Sequence, residues 1–266
     1  MKSSSNGIGA GSIVRRKADG SFECVTDEVA IEEPLEIRLA NQSLAITMRT
    51  PGNDEELAAG FLLSEAMIRS RADLHAIRQT ALNVIDIDTD AKIEAGALQR
   101  FGTISSSCGL CGKTNISAIR RQFPALQSEA KITPEQLLAM PARLRSAQGN
   151  FERTGGLHAA AVFSLTSERV ILREDVGRHN AVDKIIGRAL LDDLLPLRDD
   201  ALMVSGRVSL EIVQKALAAN VPILAAISAP SSVAINFARE SGITLVGFLR
   251  PPTFNVYSHV ERLDCG

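Results

Sequence analysis

The chain contains no tryptophan and one tyrosine, and aromatic residues make up only 4% of it. A surface that stacks nucleobases along a nucleic-acid strand normally uses several aromatic side chains. The net charge of −2 provides no general attraction for nucleic acid or for an anionic membrane. These features argue against a nucleic-acid partner. An anionic ligand would have to be held locally, by arginine, lysine and backbone amide groups.

Long hydrophobic runs are lacking too. The most apolar stretch, VPILAAISA at 221–229, is far shorter than the ~20 residues of a membrane-spanning helix. The Ser/Gly-rich start, MKSSSNGIGAGS, has no apolar run of the kind found in signal peptides. Four unevenly spaced cysteines in 266 residues do not form a secreted disulfide framework. We therefore expect a cytoplasmic protein without a membrane partner.

The N-terminal part has the pattern of mixed α+β structure. Segments 35–40 and 43–49 alternate apolar and polar residues and predict a hairpin, and a helix is predicted from Asn53 or Asp54. Segment 82–88 predicts a further strand. We divide the chain into a flexible tail (1–12), a smaller α+β domain (13–125) and a larger α/β domain (126–266).

The larger domain alternates apolar strands with amphipathic helices. Strands are predicted at 201–205, 221–229 and 243–249, and the segment RVILREDVGRHNAVDKIIGRALL predicts one more strand–loop–helix unit upstream. Strands separated by helices of this length form parallel βαβ units with right-handed crossovers. The sequence therefore predicts an α/β fold with a mostly parallel sheet.

Parallel sheets bind ligands beyond the carboxyl ends of their strands. Glycines, serines and three arginines are predicted at that edge, in the segments Gly177–His179, Ser205–Arg207, Ser228–Ser232 and Phe248–Arg250. Helix starts in these loops provide free amides for anions, so this composition suits a phosphate-bearing ligand. The alternative is that these are ordinary loops whose serines cap helices.

The segment SSSCGLCGKTN (105–115) places Cys108 and Cys111 three positions apart. The pair could form half of a zinc site, a redox disulfide or a sulfur-carrying thiol. A structural zinc site needs four ligands, but Cys24 and Cys265 stand alone and no histidines are paired at metal spacing. The polar, glycine-rich segment predicts a mobile loop. A nearby lysine and the start of the next predicted helix would lower the thiol pKa, which favours a reactive thiol.

Zinc-dependent nucleobase deaminases also combine an α/β sheet with a Cys-x-x-Cys pair. Their signature places His-x-Glu before Pro-Cys-x-x-Cys. Here His158 is followed by Ala159 and Ala160, it comes after the cysteines, and Ser107 precedes Cys108. Deaminase chemistry is not supported. We interpret His158, within a run of small residues, as a core histidine.

Five segments together resemble a known family. SSSCGLCGK, TGGLHAAAVF, REDVGRHNAVDKIIGRALL, MVSGRVSLEIVQKA and LVGFLRPPTFNVYSHVERL are similar, in this order, to the formate dehydrogenase accessory sulfurtransferases of the FdhD family. The resemblance runs from about residue 25 to the C-terminus. It implies a cytoplasmic homodimer whose larger domain has a cytidine-deaminase-like three-layer α/β fold without deaminase chemistry.

The resemblance also implies a function. Family members are sulfurtransferases that take persulfide sulfur from a cysteine desulfurase. They deliver it to the molybdenum (or tungsten) bis(molybdopterin guanine dinucleotide) cofactor before its insertion into formate dehydrogenase. The cofactor is cargo, so no permanently bound cofactor or metal is expected. A non-catalytic molybdenum cofactor-binding chaperone is the main alternative, and a redox regulator is the next.

Residue roles follow by position. The resemblance places the persulfide on Cys108, with Cys111 in a supporting role. It places the cofactor on Phe248, Leu249, Arg250, Pro251, Pro252 and Thr253. Relatives carry a glycine near the middle of this stretch, whereas each proline here lacks a backbone N–H.

Further ligand contacts are our own hypotheses. Arg178, Arg207 and Arg250 would pair with the cofactor's pyrophosphates, and the helix starts at Ser209 and Ser231 would add amide donors. Asp175, or His179 with Asn180, would read a guanine edge or polarise a ligand near the metal. For Asp175, a helix cap is the alternative.

Overall fold

A computed structural model of the protein describes residues 7–90 and 123–265. Cys108, Cys111 and the helix predicted from about Asn115 lie outside the described residues. Within these ranges the strands form a two-stranded ribbon, a four-stranded sheet and a six-stranded sheet.

The ribbon corrects the predicted tail. Strand β1 (Ile8–Arg16) pairs antiparallel with β2 (Phe22–Ala30), so residues 8–12 belong to a strand, and the Ile8 side chain is buried. Glycine and serine have low strand propensity, which hides this strand in the sequence. Strand β1 forms because its backbone hydrogen-bonds to β2, a partner that the composition of β1 alone does not indicate.

The four-stranded sheet has the order β4-β3-β6-β5, formed by β3 (Glu33–Leu39), β4 (Gln42–Arg49), β5 (Leu74–Ala81) and β6 (Val84–Thr89). The predicted hairpin is confirmed as the antiparallel β3–β4 pair, and the strand predicted at 82–88 is β6. Helix α1 (Asp54–Ser64) begins directly after Asn53, as predicted.

The six-stranded sheet has the order β12-β11-β10-β9-β7-β8. Its strands are β7 (His158–Ser164), β8 (Val170–Asp175), β9 (Asp200–Val204), β10 (Ile223–Ala226), β11 (Thr244–Arg250) and β12 (Thr253–Ser258). The α/β class is confirmed, but the sheet is mixed rather than mostly parallel. Parallel pairing is confined to β9, β10 and β11, because the short connections β7–β8 and β11–β12 force antiparallel pairing.

Helices cover both faces of the six-stranded sheet. The helices that follow α1 are α2 (Pro134–Ala147), α3 (Gly149–Thr154), α4 (Arg178–Leu191), α5 (Leu210–Ala218) and α6 (Ser232–Ser241). Alternate residues of each strand join separate apolar clusters. Leu202 and Val204 pack with α4, α5 and α6, and Ala201 and Met203 pack with α2. Helices on both faces of the sheet make this part three layers.

Helix α1 joins the two predicted domains. It packs against α4, and both helices share one apolar cluster with the four-stranded and six-stranded sheets. The crossing is so close that a Cβ on Gly60 would lie 1.9 Å from the Asp183 carbonyl oxygen, and one on Gly187 would lie 1.7 Å from that of Glu56. Only glycine fits at these two positions.

Candidate functional site

Six strand ends meet at one edge of the large sheet. Strands β8, β9, β10 and β11 end there, and the antiparallel strands β7 and β12 begin there. In register, His158 pairs with Asp175, and Arg250 pairs with Thr253. This edge therefore gathers the loops that the sequence predicted at the carboxyl ends of the strands, and it adds His158.

Two histidines and an arginine lie close together at this edge, beside the starts of α4 and α5. Ser205 Oγ accepts a hydrogen bond from the Ala159 amide at 2.9 Å and lies 3.5 Å from His158 Nδ1. His179 Nε2 lies 3.1 Å from Ser209 Oγ. We call His158, Arg178, His179, Ser205 and Ser209 the His–Arg cluster.

Gly206 lies against both the Arg178 side chain and the His158 ring. A Cβ at this position would lie 3.3 Å from Arg178 Cδ and 3.4 Å from two atoms of the His158 ring. A methyl group at this position would therefore press on both side chains of the His–Arg cluster.

Both histidines of the cluster are neutral at neutral pH. Burial lowers the pKa of His179 to about 3, and the positive charges of Lys215 and Arg178 act in the same direction. Burial also lowers the pKa of His158, again with help from Arg178 and against the opposing charge of Asp175. A neutral imidazole has one donor nitrogen and one acceptor nitrogen.

The helix starts at the cluster have no side-chain caps. The residue before α4 is Gly177, and the Ser209 hydroxyl before α5 contacts His179 instead of the helix amides. By contrast, Ser231 caps α6 by accepting a hydrogen bond from the Ala234 amide at 3.2 Å. The first-turn amides of α4 and α5, with the positive ends of their helix dipoles, are therefore open to an anion.

Arg178, at the start of α4, has a buried nitrogen, Nε, without a hydrogen-bond partner among the described residues. A buried guanidinium nitrogen without a partner is costly, and an anionic ligand would satisfy it. Arg207 is exposed on the connection from β9 to α5.

The Asp175 carboxylate is buried and bound by protein groups on several sides. It lies 2.7 Å from Lys184 Nζ and accepts hydrogen bonds from the Thr50 and Gly177 amides and from Asn180 Nδ2. Asn180 Nδ2 also donates to the Met48 carbonyl at 2.8 Å. These contacts give Asp175 a structural role just before α4, where it bonds the amide of the cap residue Gly177 and no first-turn amide of the helix. They leave neither Asp175 nor Asn180 available to a ligand.

The stretch Phe248–Thr253 lies at the β11–β12 end of the same edge. Phe248 is 39% exposed, has a positive φ of 51°, and its amide donates to the Ser228 carbonyl at 3.2 Å. Arg250 Nε donates to the Ile227 carbonyl at 3.0 Å, and its guanidinium carbon lies 5.9 Å from the Phe248 ring centroid. Phe248 and Arg250 thus present a flat aromatic and cationic surface.

The rest of that stretch divides between core and surface. Leu249 is fully buried in the cluster that packs against α2, so its side chain is not available to a ligand. Pro251, Pro252 and Thr253 are exposed at the turn into β12. Of these residues, only Thr253 has a backbone N–H.

Two negative findings apply to the described residues. Residues 7–90 and 123–265 contain no group of three or more His, Cys, Asp or Glu side chains that could hold a metal ion. Nor does any helix in those ranges have the length and apolar character needed to cross a membrane.

Comparison with known proteins identifies the family. A model of the FdhD/NarQ family matches residues 30–264. The sulfur carrier protein FdhD of Streptomyces coelicolor is 49% identical over 264 residues, which cover 94% of each chain. That of Sulfolobus acidocaldarius is 47% identical over 252 residues, 94% of this chain and 97% of its own. The chain belongs to the FdhD/NarQ family, which confirms the resemblance seen in the sequence.

A solved structure shows the same fold. The crystal structure of a protein described as a formate dehydrogenase accessory protein, from Desulfotalea psychrophila, superposes with a TM-score of 0.79. The alignment covers 97% of this chain and 99% of that chain at 24% identity. At this identity the likeness concerns the fold alone. The cytidine-deaminase-like arrangement stays a prediction.

His158 is the edge residue that the sequence interpretation missed. In the sequence it precedes a run of alanines and has the pattern of a core residue. Its place depends on β7 running antiparallel to β9, which brings the start of β7 to the ends of its neighbours. The short β7–β8 connection is the one signal that could have indicated this direction.

Proposed function

We propose that this protein is a sulfur carrier required for formate dehydrogenase activity. In this proposal, Cys108 accepts sulfur from a cysteine desulfurase as a persulfide and passes it to the Mo-bis(molybdopterin guanine dinucleotide) cofactor before the cofactor enters formate dehydrogenase. The observation that carries the proposal is a nearly full-length match to sulfur carrier proteins in a chain with a Cys108-x-x-Cys111 pair. We further propose a cytoplasmic homodimer.

The proposed chemistry is a sulfur transfer in two stages. In the first, the Cys108 thiolate attacks the terminal sulfur of the desulfurase persulfide. A new S–S bond forms on Cys108, and the desulfurase cysteine leaves as a thiolate. In the second, the terminal sulfur passes to the metal centre of the cofactor. If it leaves as sulfur(0), Cys108 returns to the thiol. If it leaves as sulfide, Cys108 and Cys111 supply two electrons and form a disulfide, which a cellular thiol then reduces.

We propose that the cofactor binds along the edge of the six-stranded sheet. Phe248 offers an aromatic face on which a guanine base can stack, and the adjacent Arg250 adds positive charge. Arg207 and Arg178 lie at the same edge, next to the open amides of α5 and α4. These groups suit a strongly anionic guanine dinucleotide. The proposal keeps Phe248, Arg250 and Thr253 as contacts and treats Leu249 as core.

The sulfur-carrier proposal is tested by mass spectrometry. The purified protein is incubated with a cysteine desulfurase and cysteine, and intact and peptide masses are then taken without reductant. We expect one added sulfur on the peptide that contains Cys108, and none in Cys108→Ala. Cys24→Ala, which removes an exposed free cysteine on β2, is the matched control and should load normally.

The opposite result would favour another function. If the mass stays unchanged while the desulfurase is active, Cys108 is not a sulfur carrier. The protein would then be better described as the non-catalytic cofactor chaperone, for which Cys108→Ala leaves cofactor delivery intact.

A further inference from the structure

We propose that the His–Arg cluster binds a phosphate group of the guanine dinucleotide, and that neutral His158 donates to it through Nε2. This inference rests on the proposed binding of the cofactor at the sheet edge, and it assigns one part of that ligand to one part of the edge.

In the tautomer that we propose, His158 Nδ1 accepts the Ser205 hydroxyl proton. The Ser205 hydroxyl oxygen accepts the Ala159 amide proton, which leaves the hydroxyl proton available for His158 Nδ1 at 3.5 Å. With Nδ1 as the acceptor, the proton of the neutral ring sits on Nε2. No described residue accepts a hydrogen bond from Nε2. His158 therefore offers a hydrogen-bond donor at the edge.

The His–Arg cluster offers donors and no free carboxylate. Its donors are the His158 ring, the Arg178 guanidinium with its unpartnered buried Nε, and the first-turn amides of α4 and α5. The carboxylate whose charge acts on His158, that of Asp175, is already paired with Lys184 and hydrogen-bonded to amide donors. A guanine edge would need acceptors for its N–H groups, whereas a phosphate needs only donors. The cluster thus fits the phosphate and not the base.

His179 has a positioning role. Its Nε2 contacts the Ser209 hydroxyl, which draws this hydroxyl away from the α5 amides that it would otherwise cap. The amides are thereby left for the phosphate. Since His179 is buried and its ring is engaged with Ser209, we assign it no direct contact with the guanine base.

The position of the base follows from the strand order. Strand β11, which carries Phe248, lies two strands away from β9, which leads into the cluster. Neighbouring strands are about 4.8 Å apart, so the two places are separated by roughly 10 Å along the edge. A single extended nucleotide can therefore place its base on Phe248 and a phosphate at the His–Arg cluster.

The test measures dissociation constants for inorganic pyrophosphate, GDP and guanosine by calorimetry. The proteins are the wild type, His158→Phe, His158→Gln and the matched control His75→Phe, which alters an exposed histidine on β5. We expect His158→Phe to weaken pyrophosphate and GDP by about tenfold, the effect of losing one hydrogen bond to a charged group. Guanosine affinity should not change. His158→Gln keeps a donor and should retain most of the affinity, and the control should bind as the wild type does.

Each other outcome overturns a defined part of the account. If the wild type binds GDP but His158→Phe leaves pyrophosphate and GDP affinities unchanged, this inference fails and the proposed cofactor site stands. The same holds if guanosine weakens as much as GDP, because His158 would then contact the base. If the wild type binds neither GDP nor pyrophosphate, the cofactor site at this edge and this inference both fail. Thermal unfolding of each variant shows that it is folded, and His158→Leu, which also lacks a hydrogen-bond donor, carries the test if the Phe variant is not folded.

Discussion

At the residue scale, burial decides the protonation state of the histidines at the sheet edge. His179 is buried with Nε2 against the Ser209 hydroxyl, and the positive charges of Lys215 and Arg178 further disfavour its protonation. Its pKa falls from about 6.5 to about 3. A histidine in this state acts as a hydrogen-bonding group of fixed charge throughout the neutral range.

This pKa predicts an acid sensitivity of the fold. In the unfolded chain His179 takes up a proton as the pH falls through 6.5, whereas in the folded protein it stays neutral until about pH 3. The unfolded state therefore binds more protons in that interval, and the free energy of unfolding decreases as the pH falls. By pH 4.5 this one group should cost about 2 kcal/mol.

The measurement is urea unfolding at pH 7 and at pH 4.5. His179→Gln should lose about 2 kcal/mol less than the wild type between the two values, whatever its stability at pH 7. Gly149→Ala, which changes no titratable group and adds a Cβ that would meet nothing within 4 Å, should follow the wild type. An equal loss in His179→Gln and in the wild type would show that His179 is not buried in a neutral state.

At the element scale, the crossing of α1 and α4 fixes the position of the cluster. Helix α4 carries Arg178 and His179 at its start, and Gly187 near its middle lets it pack against α1 at backbone distance. No side chain can enter this contact without moving one helix. A larger residue at Gly187 would therefore shift α4 and, with it, Arg178 and His179 at the sheet edge.

We predict that Gly187→Ala destabilises the protein by about 2–3 kcal/mol, because the new methyl group would overlap the Glu56 carbonyl. The matched control is Gly149→Ala in α3, where a Cβ would meet nothing within 4 Å. Chemical unfolding measures both variants. A Gly187→Ala protein as stable as the control would contradict the close packing of α1 on α4.

Helices and strands that are determined by neighbouring residues could be predicted from the sequence, and those that depend on distant partners could not. The β3–β4 hairpin and the start of α1 after Asn53 follow from neighbouring residues, and both are confirmed. Strand β1 and the direction of β7 depend on partners elsewhere in the chain, and sequence patterns do not record them. The same limit applies to the site: the arginines were found by composition, but His158 required the direction of β7.

At the scale of the whole molecule, the two parts of the chain meet at the residues beneath the cluster. Lys184 Nζ donates to the Thr50 carbonyl at 2.8 Å and pairs with Asp175 at 2.7 Å, and Asn180 donates to the Met48 carbonyl. Thr50 and Met48 belong to the part with the four-stranded sheet, and the others to the part with the six-stranded sheet. The ligand edge is therefore built on contacts between both parts.

The central claim is that sulfur bound to Cys108 leaves when the cofactor is present. The most direct measurement loads the protein with isotopically labelled sulfur from the desulfurase, removes the desulfurase, and adds the bis(molybdopterin guanine dinucleotide) cofactor. Label is then followed on the Cys108 peptide and in the cofactor. We predict that label moves to the cofactor in the wild type, more slowly in Arg250→Ala, and does not move when GDP replaces the cofactor. Label that stays on Cys108 while the cofactor is bound would contradict the account.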